Sequence, residues 1–171
     1  NLASAWEGLS FVHFSGATRE IPGVSVPNSV DLALEAAQKA VSLDPKSSNA
    51  YRVLGMAFYW KGQGDNALAA CQKALALNRN NDLAIICVSR ANFILGRLEE
   101  SIGLVKKALK LNPRFRVWLK NLYIGNALFY LGNYRESVVA LKKATADFPK
   151  HASIKLYLAA ALAMAGREDE A

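Results

Sequence analysis

Four alanines, Ala40, Ala74, Ala108 and Ala144, recur along the chain at steps of 34, 34 and 36 residues. Pro45, Arg79, Pro113 and Pro149 follow them, each five residues on. Leu54, Val88, Ile124 and Leu158 recur at steps of 34, 36 and 34, and each precedes a small residue: Gly55, Ser89, Gly125 or Ala159. Gly62, Gly96, Gly132 and Gly166 make a further series in the same phase. Such agreement restricts the chain to a repeat architecture, in which each unit buries its apolar face only by stacking on its neighbours.

One unit reads as two helices. Tyr51, Leu54 and Phe58 share a helical face, as residues three and four apart do. Gly62 and Gly64 then end that helix, because glycine accepts the left-handed backbone of a helix terminus. Asp65 or Asn66 is the expected cap of a second helix with Ala67, Cys71, Ala74, Leu75 and Leu77 inward. Pro113 and Pro149 stop second helices by steering the preceding residue away from helical geometry.

Tyr51, Leu54-Gly55, Phe58, Gly62, Ala67, Cys71 and Ala74, in that order, resemble the tetratricopeptide repeat, whose period is about 34 residues. The segment 82–117 carries Ile85, Val88-Ser89, Gly96, Ser101, Val105, Ala108 and Pro113, with Asn92 where an aromatic is usual. The segment 118–151 carries Ile124-Gly125, Leu128, Gly132, Ser137, Leu141, Ala144 and Pro149, and two extra residues around Arg114–Val117 account for the longer step. The resemblance implies an all-α, right-handed superhelix of stacked helix–turn–helix units. The chain then divides as one domain, 1–171, into units 1–47, 48–81, 82–117 and 118–151, with a truncated unit at 152–171. The first unit is irregular. Trp6 and Ala33 stand eleven residues further apart than Tyr51 and Ala67, which predicts an inserted loop over 15–29, rich in Gly and Pro.

Within that family, the interrupted first unit and the stretch Ala36–Pro45 resemble the repeat regions of bacterial class III adenylate/guanylate cyclase-like proteins. Tyr51–Gly55, Gly132–Ser137 and Leu158–Ala171 fit the same group. This resemblance implies a regulatory region of a signalling protein or, alternatively, of a transcriptional regulator, with any cyclase or winged-helix DNA-binding domain outside this sequence.

The residues themselves offer little chemistry. His13 and His151 have no second ligand at metal-binding spacing, and Glu99-Glu100 and Glu168–Glu170 read as first-turn acids that favour the helix dipole. Cys71 and Cys87 read as buried reduced thiols, too few for a disulfide framework. Gly62-Gln63-Gly64 lacks the following Lys-Ser/Thr of a phosphate loop. No enzyme activity, cofactor or metal is expected. The longest run without a charged residue, Asn121–Tyr134, is too short to span a bilayer, which takes about 20 apolar residues. With no leader-like opening segment, a cytoplasmic chain is expected.

Binding is the expected function. The tetratricopeptide resemblance implies that first helices line a concave groove. Its lining would be Asn49, Arg52, Met56, Tyr59 and Trp60, then Ile86, Arg90, Phe93 and Ile94, then Leu122, Asn126, Phe129 and Tyr130. A peptide or helix with apolar anchors and an acidic group would complement such a wall. The family variant that grips terminal carboxylates is not expected, because Arg52 and Met56 stand where Lys and Asn are required.

The net charge of +7 opens a rival reading. Lys106, Lys107, Lys110, Arg114, Arg116 and Lys120 could meet nucleic acid, although no regular per-repeat code of base-reading pairs accompanies them. Finally, Leu156, Leu158, Leu162 and Met164 in the truncated unit predict self-association through that end.

Overall fold

The computed structural model describes residues 2–17, 28–114 and 116–170. Among these, the chain forms nine α-helices and one 3-10 turn, with no strand: α1 (Leu2–Ala17), α2 (Ser29–Leu43), α3 (Ser48–Trp60), α4 (Gly64–Leu77), α5 (Asp82–Ile94), α6 (Leu98–Leu111), α7 (Val117–Tyr130), α8 (Tyr134–Asp147), α9 (Ala152–Met164) and the turn Glu168–Glu170. The all-α helical-hairpin repeat is therefore the observed architecture. It falls into two compact units, 1–95 and 96–171.

Local chemistry explains the hairpins. After α3, Gly62 adopts φ +71°; its N–H donates to Tyr59 O at 3.0 Å, and Gln63 N–H donates to Phe58 O at 2.9 Å. This double closure satisfies carbonyls left open at a helix end, and it needs a left-handed residue that only glycine accepts without strain. Gly132 and Gly166 repeat the pattern after α7 and α9. Ser47 and Asn81 cap α3 and α5, accepting from Ala50 and Ala84 backbone N–H groups. Helix α4 begins at Gly64 behind Gln63, so the expected caps Asp65 and Asn66 lie inside it, Asp65 in its first turn. The Gly62 turn closes too tightly to leave room for a separate capping residue further on.

In the first unit, Ala37, Val53 and Ala57 form a core cluster with Leu34 and Leu54 against it. The ladder alanines Ala40 and Ala74 are wholly buried, which lets paired helices approach closely. Ser10 Oγ donates to Ala33 O at 2.8 Å, and Ser48 Oγ donates to Ala74 O at 2.8 Å, tying α1 to α2 and α3 to α4. The inserted loop starts later than expected, because α1 runs on to Ala17 and α2 begins at Ser29. The rest of that loop, 18–27, lies outside the described residues.

The cysteines are buried, as expected, but they are not reduced thiols. Cys71 of α4 and Cys87 of α5 form a disulfide with Cα atoms 5.4 Å apart. Such a bond needs Cα atoms about 4.4–6.8 Å apart. Gly55 of α3 makes the approach possible: a Cβ there would lie 2.5 Å from Cys71 Sγ and 3.0 Å from Cys87 Sγ.

In the second unit, Leu122, Val138, Leu141, Ala144, Ile154, Ala161 and Leu162 make a continuous core across α7, α8 and α9. Gly125 lies flat on Leu141, where an added Cβ would come within 2.6 Å of Cγ. Ser137 Oγ donates to Gly125 O at 2.8 Å. The extra residues before α7 end on Arg116, which takes a left-handed backbone (φ +48°) and redirects the chain into α7.

Candidate functional site

In the first unit the expected groove residues sit on α3 and α5, held by contacts within the chain. Glu7 of α1, largely buried, accepts from Ser47 Oγ at 2.7 Å and from Asn49 Nδ2 at 2.5 Å. Asn49 Oδ1 in turn accepts from Arg52 Nε at 2.7 Å. The two donors satisfy both carboxylate oxygens, and the contacts orient the chain Glu7–Asn49–Arg52. Sequence reading missed Glu7, because the irregular first unit put α1 out of phase with the ladders.

A second polar device faces the same two helices. The Arg90 guanidinium lies 4.1 Å from the Tyr59 ring centroid and 5.3 Å from that of Trp60. The two rings meet edge to face at 5.3 Å. Cation–π contact and ring packing give this trio a defined shape. Trp60 is exposed, while Met56, Tyr59, Phe93 and Ile94 are half-buried. Ile86 is buried and contributes packing rather than contact surface.

On α7, in the second unit, Tyr130 is 57% exposed and Phe129 half-buried. Phe129 packs edge to face on Tyr134 at 5.5 Å and on Tyr157 at 6.1 Å. The Tyr130 and Tyr157 hydroxyls stand 3.5 Å apart. Tyr157 thus extends this aromatic face; it repeats Tyr123 after 34 residues, a signal present in the sequence. Asn126 Oδ1 is buried on the same helix with no hydrogen-bond partner among the described residues. Leu122 belongs to the core, not to the surface, because α8 and α9 close over it.

The basic stretch is broken up by folding. Lys106, Lys107, Lys110, Arg114 and Arg116 are exposed, but Lys120 is 1% exposed. Its ammonium donates to Asn112 O at 2.8 Å and Ala108 O at 3.3 Å, the carbonyls at the end of α6. A cation there meets the negative end of the helix dipole, so Lys120 is a cap and not a phosphate contact. His151 stands before α9 with its ring tilted 5.3 Å from that of Trp118, which stacks on Phe148 at 4.8 Å. Among the described residues no three His, Cys, Asp or Glu side chains cluster as a metal would require. No helix among them is long and apolar enough to cross a membrane.

The family model of the tetratricopeptide repeat matches residues 28–82 and 123–171, more than half of the chain. This chain belongs to the tetratricopeptide repeat family. Solved tetratricopeptide structures share its fold. PilW, described as a widely conserved type IV pilus biogenesis factor, is 20% identical with a TM-score of 0.79, covering 98% of this chain and 71% of PilW. A thermophilic tetratricopeptide protein of Thermus thermophilus is 25% identical with a TM-score of 0.73, covering 84% of this chain and 78% of its own. YrrB, a tetratricopeptide protein with an unusual peptide-binding site, is 20% identical with a TM-score of 0.58 over 84% of this chain and 73% of YrrB. No curated protein matches the sequence.

Proposed function

We propose that the chain is a non-catalytic protein-interaction module whose first helices hold a peptide or helix with apolar anchors and an acidic group. One observation carries the reading. On α7, the buried and unsatisfied Asn126 Oδ1 lies one helical turn from the exposed Tyr130. Buried polar atoms in folded proteins nearly always have a partner, and a backbone N–H of a bound peptide supplies one. The exposed Trp60, resting against the buried Arg90, gives the first unit an aromatic contact point, a residue type that dominates binding hot spots. The net charge of +7 favours an acidic partner. The peptide-binding site named for YrrB agrees with the reading at the level of fold.

In this reading the repeats act together as one domain, 1–171. Leu156 and Met164 of α9, both well exposed, are the surface through which a second copy would attach. The bacterial cyclase-like setting rests on the sequence resemblance alone; the structures reported above carry other descriptions. A cytoplasmic setting fits less well than an oxidising one, because the Cys71–Cys87 disulfide is of a kind rare where thiols are kept reduced.

Selection from a displayed random-peptide library, followed by anisotropy measurements on the selected peptides, tests the binding proposal. Asn126→Ala and Tyr130→Ala are expected to weaken peptides held on α7 about tenfold each, and Trp60→Ala those held on α3, as hot-spot truncations do. Selected peptides that bind wild type and all three variants equally, or none selected at all, would remove these faces from consideration. Sub-micromolar binding of nucleic acid with a steep salt dependence would favour the rival instead.

A further inference from the structure

We propose that the Cys71–Cys87 disulfide is a redox-dependent strut for the wall of the first unit that carries Arg52, Tyr59, Trp60 and Arg90. Three elements meet at the bond. Cys71 belongs to the second helix of one repeat, Cys87 to the first helix of the next, and Gly55 of α3 closes over both sulfurs. Cys87 Sγ also lies 3.5 Å from the Arg52 carbonyl oxygen, and Cys87 precedes Arg90 by one helical turn on α5. The bond therefore stands directly behind the trio of Tyr59, Trp60 and Arg90.

Reduction changes what this slot must hold. Two thiol sulfurs in van der Waals contact sit well apart compared with the bonded pair. The slot has no spare room towards α3, since even a methyl group on Gly55 would collide with both sulfurs and would approach the Cys71 backbone N to 3.1 Å. The reduced pair is accommodated by α5 moving away from α3 and α4. That motion carries Arg90 away from the rings of Tyr59 and Trp60. Oxidised, the same wall is cross-linked and holds its shape before any partner arrives. The proposal does not depend on what the wall binds.

The chemistry is thiol–disulfide exchange. In oxidation, the two cysteine thiols give up two electrons and two protons to an external disulfide, which leaves as two thiols. In reduction, one thiolate of an external dithiol attacks Cys71 or Cys87 sulfur and breaks the S–S bond. Its second thiol then resolves the mixed disulfide, leaving two cysteine thiols and an oxidised reagent. Both cysteines are 1% exposed, so either step requires local opening of the α3–α5 layer. The strut thus records the thiol conditions under which the chain folds.

The test refolds the chain once in a glutathione redox buffer and once in excess dithiothreitol. Thiols titrated after denaturation should number zero and two per chain respectively. Two titratable thiols after oxidative refolding would overturn the proposal. Hydrogen exchange then compares the oxidised chain, the reduced chain and Cys71→Ala/Cys87→Ala, which removes both the bond and the crowding. Amides of α4 and α5 should exchange about tenfold faster or more in the latter two, while those of α7 and α8 remain unchanged. Equal exchange in all three forms overturns the strut. So does an equal rise in α7 and α8, which would signify general unfolding.

Discussion

Three glycines that look alike in sequence differ sharply in what surrounds them. A methyl on Gly55 meets two bonded sulfurs and a backbone nitrogen, none of which can swing aside. A methyl on Gly125 meets the branched end of the core residue Leu141, and one on Gly64 meets the end of the half-buried Leu95. Overpacking costs about 1–3 kcal/mol, depending on how far neighbours yield. Gly55→Ala is therefore expected at about 3 kcal/mol, Gly125→Ala at about 2, and Gly64→Ala at about 1 or less; urea denaturation of the three variants checks the order. Lys120 supplies a second contrast. Lys120→Met keeps the buried stem but leaves the α6 terminal carbonyls without their donor, and is expected to cost about 1–3 kcal/mol. Exposed Lys106→Met should change stability by less than about 0.5 kcal/mol.

At the scale of elements, glycine turns follow α3, α7 and α9, and the last one carries an additional clasp. Glu170 accepts from Lys142 of α8 at 2.7 Å and from Arg167 at 2.7 Å. The Lys142 hydrogen bond, then that of Arg167, holds the Glu170 carboxyl below its ordinary range. A lowered carboxylate pKa means that the clasp is intact above the unfolded-state value and is lost as pH falls through the folded-state value. The Glu170 carboxyl carbon, followed by NMR, should titrate below a typical glutamate, and Lys142→Met should move its midpoint upward. An unchanged midpoint in that variant would show that the clasp does not form in solution. The group is exposed, so global stability is not expected to follow this titration.

For the molecule as a whole, two measurements bear on how the repeats are held and assembled. The disulfide closes a loop across a sequence separation of 16, and loops of that length stabilise by about 3 kcal/mol. Cys71→Ala/Cys87→Ala should lower the stability of the first unit by about 2–4 kcal/mol in urea under oxidising conditions. Light scattering should show mass rising with concentration, and Leu156→Lys/Met164→Lys should abolish the rise; a mass independent of concentration in the unaltered chain counts against attachment through α9. The repeat register, the helices of the regular units and the glycine turns after α3 and α7 were legible from spacing alone, because they depend on contacts within about one period. The candidate site was legible only in part: Trp60 and Tyr130 are exposed, whereas Leu122 is core and Lys120 is a buried cap.

Periodicity by itself determined that this chain folds as helical hairpins, since small residues every 34 positions leave no other way to bury the apolar faces. Tertiary structure alone decided that Cys71 meets Cys87, that Glu7 holds Asn49, and that Arg90 lies on Tyr59. Each of those contacts joins different helices, and its distance is set by how closely their backbones approach. Linear spacing carries no information on that approach.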